Sequence, residues 1–225
     1  MAPIGKLYGL ALQQQTTAIL SAAAIAGLEI DVAPCEFGVT NKEPEFVQKF
    51  PQGKIPAFED DEGFKLTEGA AIARYVSFLA SESGLLGRNA KEAALVDQWV
   101  HFSESEILGV TAIFYTALMA KILPGYTIEQ HEFHVQRITR SLQYLEDYLA
   151  TRRSRFIVND SITLADIFVA GAAKRAGQTV CGSAERERTF PHVFAYYAKV
   201  ASDERIKALF GQPTFIERPL TVQAE

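Results

Sequence analysis

The sequence predicts an α/β N-terminal module of order βαβαββα followed by an all-α helical module. Three observations carry that prediction. Up to Ala80, short apolar runs alternate with segments of helical periodicity. After Asn89, helical stripes recur with no strand between them. The stretch that joins the two, Ser-Glu-Ser-Gly-Leu-Leu-Gly-Arg-Asn from Ser81 to Asn89, contains two glycines and has neither period. The α/β module is assigned to residues 1–81, the linker to 82–89 and the helical module to 90–225.

Residues 6–10 form an apolar run suited to a buried strand. The polar Gln13-Gln14-Gln15 leads into a helix predicted over 16–26, nearly all Ala, Ile and Leu and therefore buried on most of its surface, with Gly27 as its C-terminal cap. Residues 28–33 alternate apolar with acidic side chains, and the resulting strand, helix, strand order implies a parallel, right-handed unit. A polar loop at 38–42 precedes a short helix beginning near Pro44, a residue suited to a first helical turn. Residues 57–59 and 64–67 read as two strands of a hairpin joined by Asp60-Asp61-Glu62-Gly63, and a helix over 68–80 carries Ile72, Val76 and Leu79 at helical spacing.

In the second module Leu95, Trp99, Phe102, Val110 and Phe114 trace one helical stripe, broken near Pro124-Gly125. Ile128, Val135, Ile138, Leu142, Leu145 and Leu149 trace another. Thr163-Leu164-Ala165-Asp166 reads as a capping box with Asp in place of Glu or Gln, opening a helix that reaches about Gln178. Two shorter helices are predicted over 192–200 and 203–209.

A chain of 225 residues, 48% hydrophobic and 22% charged, is long enough to bury a sizeable core. Its net charge of −5 and its scattered Lys and Arg give no electrostatic footprint for nucleic acid or an anionic membrane. No signal-like or membrane-length apolar segment occurs, which implies a cytoplasmic address by default. Cys35 and Cys181 belong to no metal or dithiol spacing and read as free thiols, and His131 with His134 lacks a third ligand nearby.

The most constrained stretch is Phe50 to Glu59: a helix must end before Pro51, a turn is needed at Gly53, and a proline leads into a strand at Pro56. With Thr40-Asn41-Lys42, Pro44-Glu45-Phe46, Gly53-Lys54-Ile55-Pro56-Ala57-Phe58-Glu59, Thr67-Glu68, Ala71 to Val76 and Ile162 to Ile167, the chain resembles the cytosolic glutathione transferases over nearly its full length. Within them it is most similar to the transferase-like N-terminal region of translation elongation factor 1B gamma. The resemblance implies a thioredoxin-like N-terminal domain followed by a helical domain, and glutathione as co-substrate or cofactor.

By that resemblance Pro56 is cis and turns the backbone N–H and C=O of Ile55 toward the cysteinyl part of glutathione. The helix start at Glu68-Gly69 offers amides to its γ-glutamyl carboxylate, Glu68 accepts from its amine, and Lys42 and Lys54 meet its glycyl carboxylate. The family pattern is Glu-Ser, so Gly69 keeps the amide but removes one hydrogen bond worth about 0.5–1.5 kcal/mol.

The family places a Tyr, Ser or Cys beside the glutathione sulfur after the first strand. Here Leu10-Ala11-Leu12-Gln13-Gln14-Gln15 stands in that place, with Tyr8 too early in the strand, and Gln13 is the candidate donor to the sulfur. His101, Phe102, Ser105, Tyr115 and Met119 are the candidate wall of the second-substrate pocket.

The implied reaction is attack of the glutathione thiolate on a small hydrophobic electrophile. The alternatives are glutathione-assisted cis/trans isomerisation of a conjugated substrate and a non-catalytic interaction module of the elongation-factor type. The start at Met1 and the short tail after the last helix read as a stand-alone protein, and such members imply a fungal source, a role in secondary metabolism or detoxification, and a homodimer.

Overall fold

The computed structural model describes residues 2–11 and 13–222. The chain start at Met1, Leu12 of the loop before the first helix and the last three residues of the tail lie outside the described residues. The first half runs β1 (Lys6–Tyr8), α1 (Gln14–Ala26), β2 (Asp31–Ala33), α2 (Pro44–Lys49), β3 (Ala57–Glu59), β4 (Lys65–Thr67) and α3 (Gly69–Leu79). The sheet order is β2-β1-β3-β4, with β1 parallel to β2 and antiparallel to β3, and β3 antiparallel to β4.

Strand alternation sorts the side chains between two layers. Leu7 and Phe58, directly opposite each other, enter the main core with α1 and α3. Tyr8 and Ala57, the next pair, point to the other face, where Phe46 and Phe50 pack. Tyr8 meets both rings edge-on at 5.4 and 5.9 Å, so its phenol belongs to the wall under α2.

Helix α1 begins two residues earlier than the predicted Thr16. Gln13 is its N-cap residue, and its carbonyl accepts from the Thr17 N–H at 3.0 Å. The hydroxyl of Thr16 donates to the Gln13 side-chain oxygen at 3.2 Å instead of capping the helix itself. At the other end Gly27 takes φ 68° and returns its N–H to Ala23 and Ala24, the left-handed cap that glycine permits.

The second half contains α4 (Ala90–Phe102), which continues through a π-helical segment (Ser103–Leu108) into α5 (Gly109–Phe114) and a second π-helical turn (Tyr115–Met119). Then follow α6 (Ile128–Thr151), α7 (Leu164–Gly177), α8 (Pro191–Ala201) and α9 (Lys207–Phe210). The helix predicted over 203–209 shortens to α9 because the Asp203 carboxylate accepts from the Arg205 backbone and guanidinium, which holds a turn there.

The Thr163 cap forms as predicted: Asp166 accepts from the Thr163 N–H at 2.6 Å and the Thr163 hydroxyl at 2.7 Å. Helix α7 is buried on almost every side and packs against α1, α4 and α8. One continuous core therefore runs from Leu7, Ile19 and Phe58 to Trp99, Phe114 and Phe168, and the two halves share it.

Candidate functional site

The turn into β3 is held from behind by a side chain that the family pattern includes but to which the sequence assigns no role. Asn41, 2% exposed, donates to the Gly53 carbonyl at 2.7 Å and accepts from the Gly38 N–H at 2.6 Å. Gly53 needs its freedom, since φ is 58° and a Cβ would stand 3.0 Å from the Asn41 carbonyl. This staple delivers Lys54 and Ile55 to the rim of a cavity of about 140 Å³, whose walls include Gln13, Gln15, Lys54, Ile55, Pro56, Glu68, Gly69 and Glu104. The Ile55–Pro56 bond is cis. Lys42 is not in that wall; a Cβ at Gly53 would stand 3.4 Å from its Nζ, which puts the ammonium beside the turn.

The opposite wall is the start of α3. Glu68 sits at φ 69°, a left-handed conformation that costs a non-glycine residue about 1–3 kcal/mol and clusters at functional sites. The first intrahelical bond is Ile72 N–H to the Glu68 carbonyl at 3.0 Å, so the amides of Gly69, Ala70 and Ala71 have no partner within the helix and form an anion-accepting end. Lys54 adds a cation, Glu68 and Glu104 two carboxylates. Burial pushes the Glu104 carboxyl above the usual range, opposed by His101 and assisted by Glu68. The donor set is that of a binder for a zwitterion with a further carboxylate.

Gln13 is in the wall, but its amide is engaged: Nε2 donates to the Ile55 carbonyl at 3.0 Å. One N–H of that amide remains for a group in the cavity, and the Ile55 carbonyl keeps a second lone pair. Neither a hydroxyl nor a thiol from the first strand or its loop lines the cavity.

Two family models match the chain, "Glutathione S-transferase, N-terminal domain" over residues 3–77 and "Glutathione S-transferase, C-terminal domain" over residues 115–212. The chain belongs to the glutathione S-transferase family. It is 35% identical to the glutathione S-transferase-like protein LUC7 of Fusarium sp over 223 residues, covering 96% of this chain and 97% of that protein. It is 32% identical to human elongation factor 1-gamma, covering 95% of this chain but 48% of the relative, so it spans about half the length of that protein. Among solved structures, the transferase-like domain of elongation factor 1-gamma from Saccharomyces cerevisiae superposes with a TM-score of 0.82 over 100% of both chains at 21% identity. The transferase URE2P6 of Phanerochaete chrysosporium, solved with oxidized glutathione, superposes at 0.80 over 93% of this chain and 96% of that one, also at 21% identity. The fold predicted from the sequence is thus the transferase fold.

In this member of the transferase family a second cavity of about 110 Å³ adjoins the first across Gln15, which lines both. Its other walls are Gln14, Leu108, Ala112, Tyr115, Thr116 and Arg175. Of the five residues proposed for such a wall, Tyr115 is there. His101, Phe102, Ser105 and Met119 are not: Phe102 packs edge-on against Trp99 at 5.3 Å, and the Ser105 hydroxyl donates to the His101 carbonyl at 2.8 Å. The physical reason is packing and position: Phe102 is committed to Trp99 and Ser105 to the helix backbone, this stretch of chain reaches the second cavity only from Leu108 onward, and Met119 lies past it with its side chain half exposed.

A third cavity, of about 450 Å³, lies away from both and is lined by Ile138, Leu142, Phe190 and Leu220 among others. Its cysteine, Cys181, has a thiol pushed up to about 12 by burial, so it supplies no nucleophile at neutral pH. His131 lies in the same wall and packs edge-on against Phe114 at 5.2 Å. No group of three or more His, Cys, Asp or Glu suited to a metal occurs among the described residues, and no helix of the described residues is long and apolar enough to cross a membrane.

Proposed function

We propose that the chain binds glutathione in the cavity between the turn into β3 and the start of α3, and directs its thiolate onto a small hydrophobic electrophile. The observation that supports this most is the convergence of Lys54, Ile55, Glu68 and the α3 amides on one cavity that shares the Gln15 wall with a second. Bound glutathione supplies the nucleophilic sulfur.

The chain's own groups divide the binding. The amides of Gly69 and its neighbours meet the γ-glutamyl carboxylate, Glu68 and Glu104 accept from the ammonium, the Ile55 backbone aligns the cysteinyl part, and Lys54 meets the glycyl carboxylate, with Lys42 on the outer side of the turn. Gln13 holds the Ile55 carbonyl and directs its remaining N–H at the sulfur, while the N-terminal end of α1 favours negative charge there. The thiol proton leaves to solvent, and the thiolate then forms the carbon–sulfur bond as the electrophile either expels its leaving group or, at an activated double bond, gives up the π bond and takes a proton from water. The same reading includes a homodimer, supported by the exposed apolar side chains Phe64, Phe78 and Leu79, and a fungal source, supported by the similarity to the Fusarium protein.

The test is calorimetry with glutathione, followed by titration of the bound thiol through its thiolate absorbance. Micromolar to millimolar affinity is expected, about −8 to −4 kcal/mol. The bound thiol should titrate below free glutathione, and Gln13→Ala should return its pKa toward the free value. No binding at millimolar glutathione would defeat the reading.

A non-catalytic module is the second reading, favoured by the engagement of the Gln13 amide with Ile55 and by the similarity to elongation factor 1-gamma. Binding with an unshifted thiol pKa would select it. Turnover of a conjugated double bond without consumption of glutathione would instead select the isomerase.

A further inference from the structure

The second cavity contains a cation without an anion. Arg175, half-buried on the last turn of α7, lines it and lays its guanidinium over the Tyr115 ring at 5.3 Å. Among the described residues no carboxylate lies within 4.0 Å of that guanidinium. Burial disfavours its charge, and the one electrostatic compensation is the Tyr115 phenol. Buried charges are ordinarily paired, because removal from water costs several kcal/mol that only a counter-ion and hydrogen bonds return.

A second polar group in the same wall is also without a partner. Gln14 is 5% exposed and its Oε1 makes no hydrogen bond. That oxygen lies against Gly171, where a Cβ would be 3.4 Å away, one helical turn before Arg175 on α7. An amide turned end for end presents N–H in place of oxygen, so Gln14 can serve a ligand as donor. The start of α1 faces the same space: Gln14 and Gln15 are its first two residues, and no acidic side chain occupies its first turn to answer the free amides.

We propose that this cavity receives a carboxylate of the second substrate, so that the electrophile accepted is an organic acid with an apolar, activated double bond beyond its acid group. Arg175 pairs with the carboxylate, and Gln14 and the α1 amides complete its donors. The cavity is too small for a whole substrate, and the Gln15 wall that it shares with the glutathione cavity places the reactive carbon on the sulfur side. The assignment rests on the transferase reading for the reaction, but not for the binding of the acid.

The test uses 4-(3-oxobut-1-enyl)benzoate and its methyl ester as probes. Their affinities are measured by calorimetry and their kcat/KM by loss of enone absorbance with glutathione present, for the unmodified chain, Arg175→Gln and Thr116→Asp. The acid should be preferred over the ester by about tenfold or more, as a charge-assisted pair implies. Arg175→Gln should bring that ratio to about one, and Thr116→Asp, which puts a carboxylate into the wall and retains Arg175, should invert it.

The glutathione Kd of each variant reports its fold, and if Arg175→Gln fails to fold, Thr116→Asp decides. Equal affinity of the unmodified chain for acid and ester, or a preference that survives both substitutions, overturns the proposal. An acid preference that depends on Arg175 in a chain that does not bind glutathione upholds it and defeats the transferase reading instead. Glutathione binding without acid preference does the reverse.

Discussion

Gly69 and Gln15 exclude one another's side chains: a Cβ on Gly69 would stand 2.6 Å from the Cβ of Gln15 and 2.7 Å from its Cγ. The glycine in place of the family's serine is therefore more than the loss of a hydroxyl, because Gln15 in the first turn of α1 occupies the space that a serine's Cβ would use. Gly69→Ser is predicted to destabilise the chain by about 1–3 kcal/mol through overpacking, and not to tighten glutathione. Combined with Gln15→Gly, the serine should recover at least about 1 kcal/mol beyond additivity. Urea denaturation of the two single variants and the double variant checks this; a Gly69→Ser chain of normal stability would count against it.

Glu104 sets a pH dependence. Burial, opposed by His101 and assisted by Glu68, raises its folded-state pKa above the ordinary carboxyl value of 4.5. Between 4.5 and the raised folded value the native chain holds a proton that the unfolded chain has released. Stability contributed by this group is thus complete below that window and is lost as pH rises through it. Glu104→Gln should match the unmodified chain below about pH 4 and exceed it near neutrality. Melting temperatures between those limits test it, and parallel curves for the two chains would refute it.

Asp166 is fully buried and accepts from the Ile157 N–H at 2.8 Å, from the Thr163 N–H and hydroxyl, and from the Tyr196 hydroxyl. Burial raises its pKa against the pull of those four donors. Asp166→Ala leaves four buried donors without an acceptor, and a loss of about 3–5 kcal/mol is predicted, with Asp166→Asn losing less. Chemical denaturation measures the difference.

How far the sequence could be read follows the range of each interaction. Gly27, Pro44, Thr163 with Asp166 and the turn before β4 act within a few residues, and each was legible with its element. Gln13, Lys54, Ile55, Glu68 and Gly69 were legible as a set through the family pattern, and they line one cavity. Gln15 was not, because its contact with Gly69 exists only when α1 and α3 come together. Arg175 over Tyr115 and Glu104 near Glu68 are likewise contacts between segments far apart in the chain, which no local pattern announces. Of the second cavity's wall, position along the chain named Tyr115 alone.

Helix α1 carries at its start a wall of the cavity proposed for glutathione and rests along α7, with Gly171 opposite Gln14. The chain is for that reason a poor source of interchangeable parts. A graft that takes its first eighty residues onto the helices of a relative would carry α1 to a foreign α7, and a side chain longer than alanine in place of Gly171 there, where a Cβ already stands in contact with Gln14, would press on Gln14 and shift both cavities at once. Chimeras among these proteins would have to exchange α1 and α7 as a pair, and lineages that diversify their second substrate through α7 must revise the first helix with it.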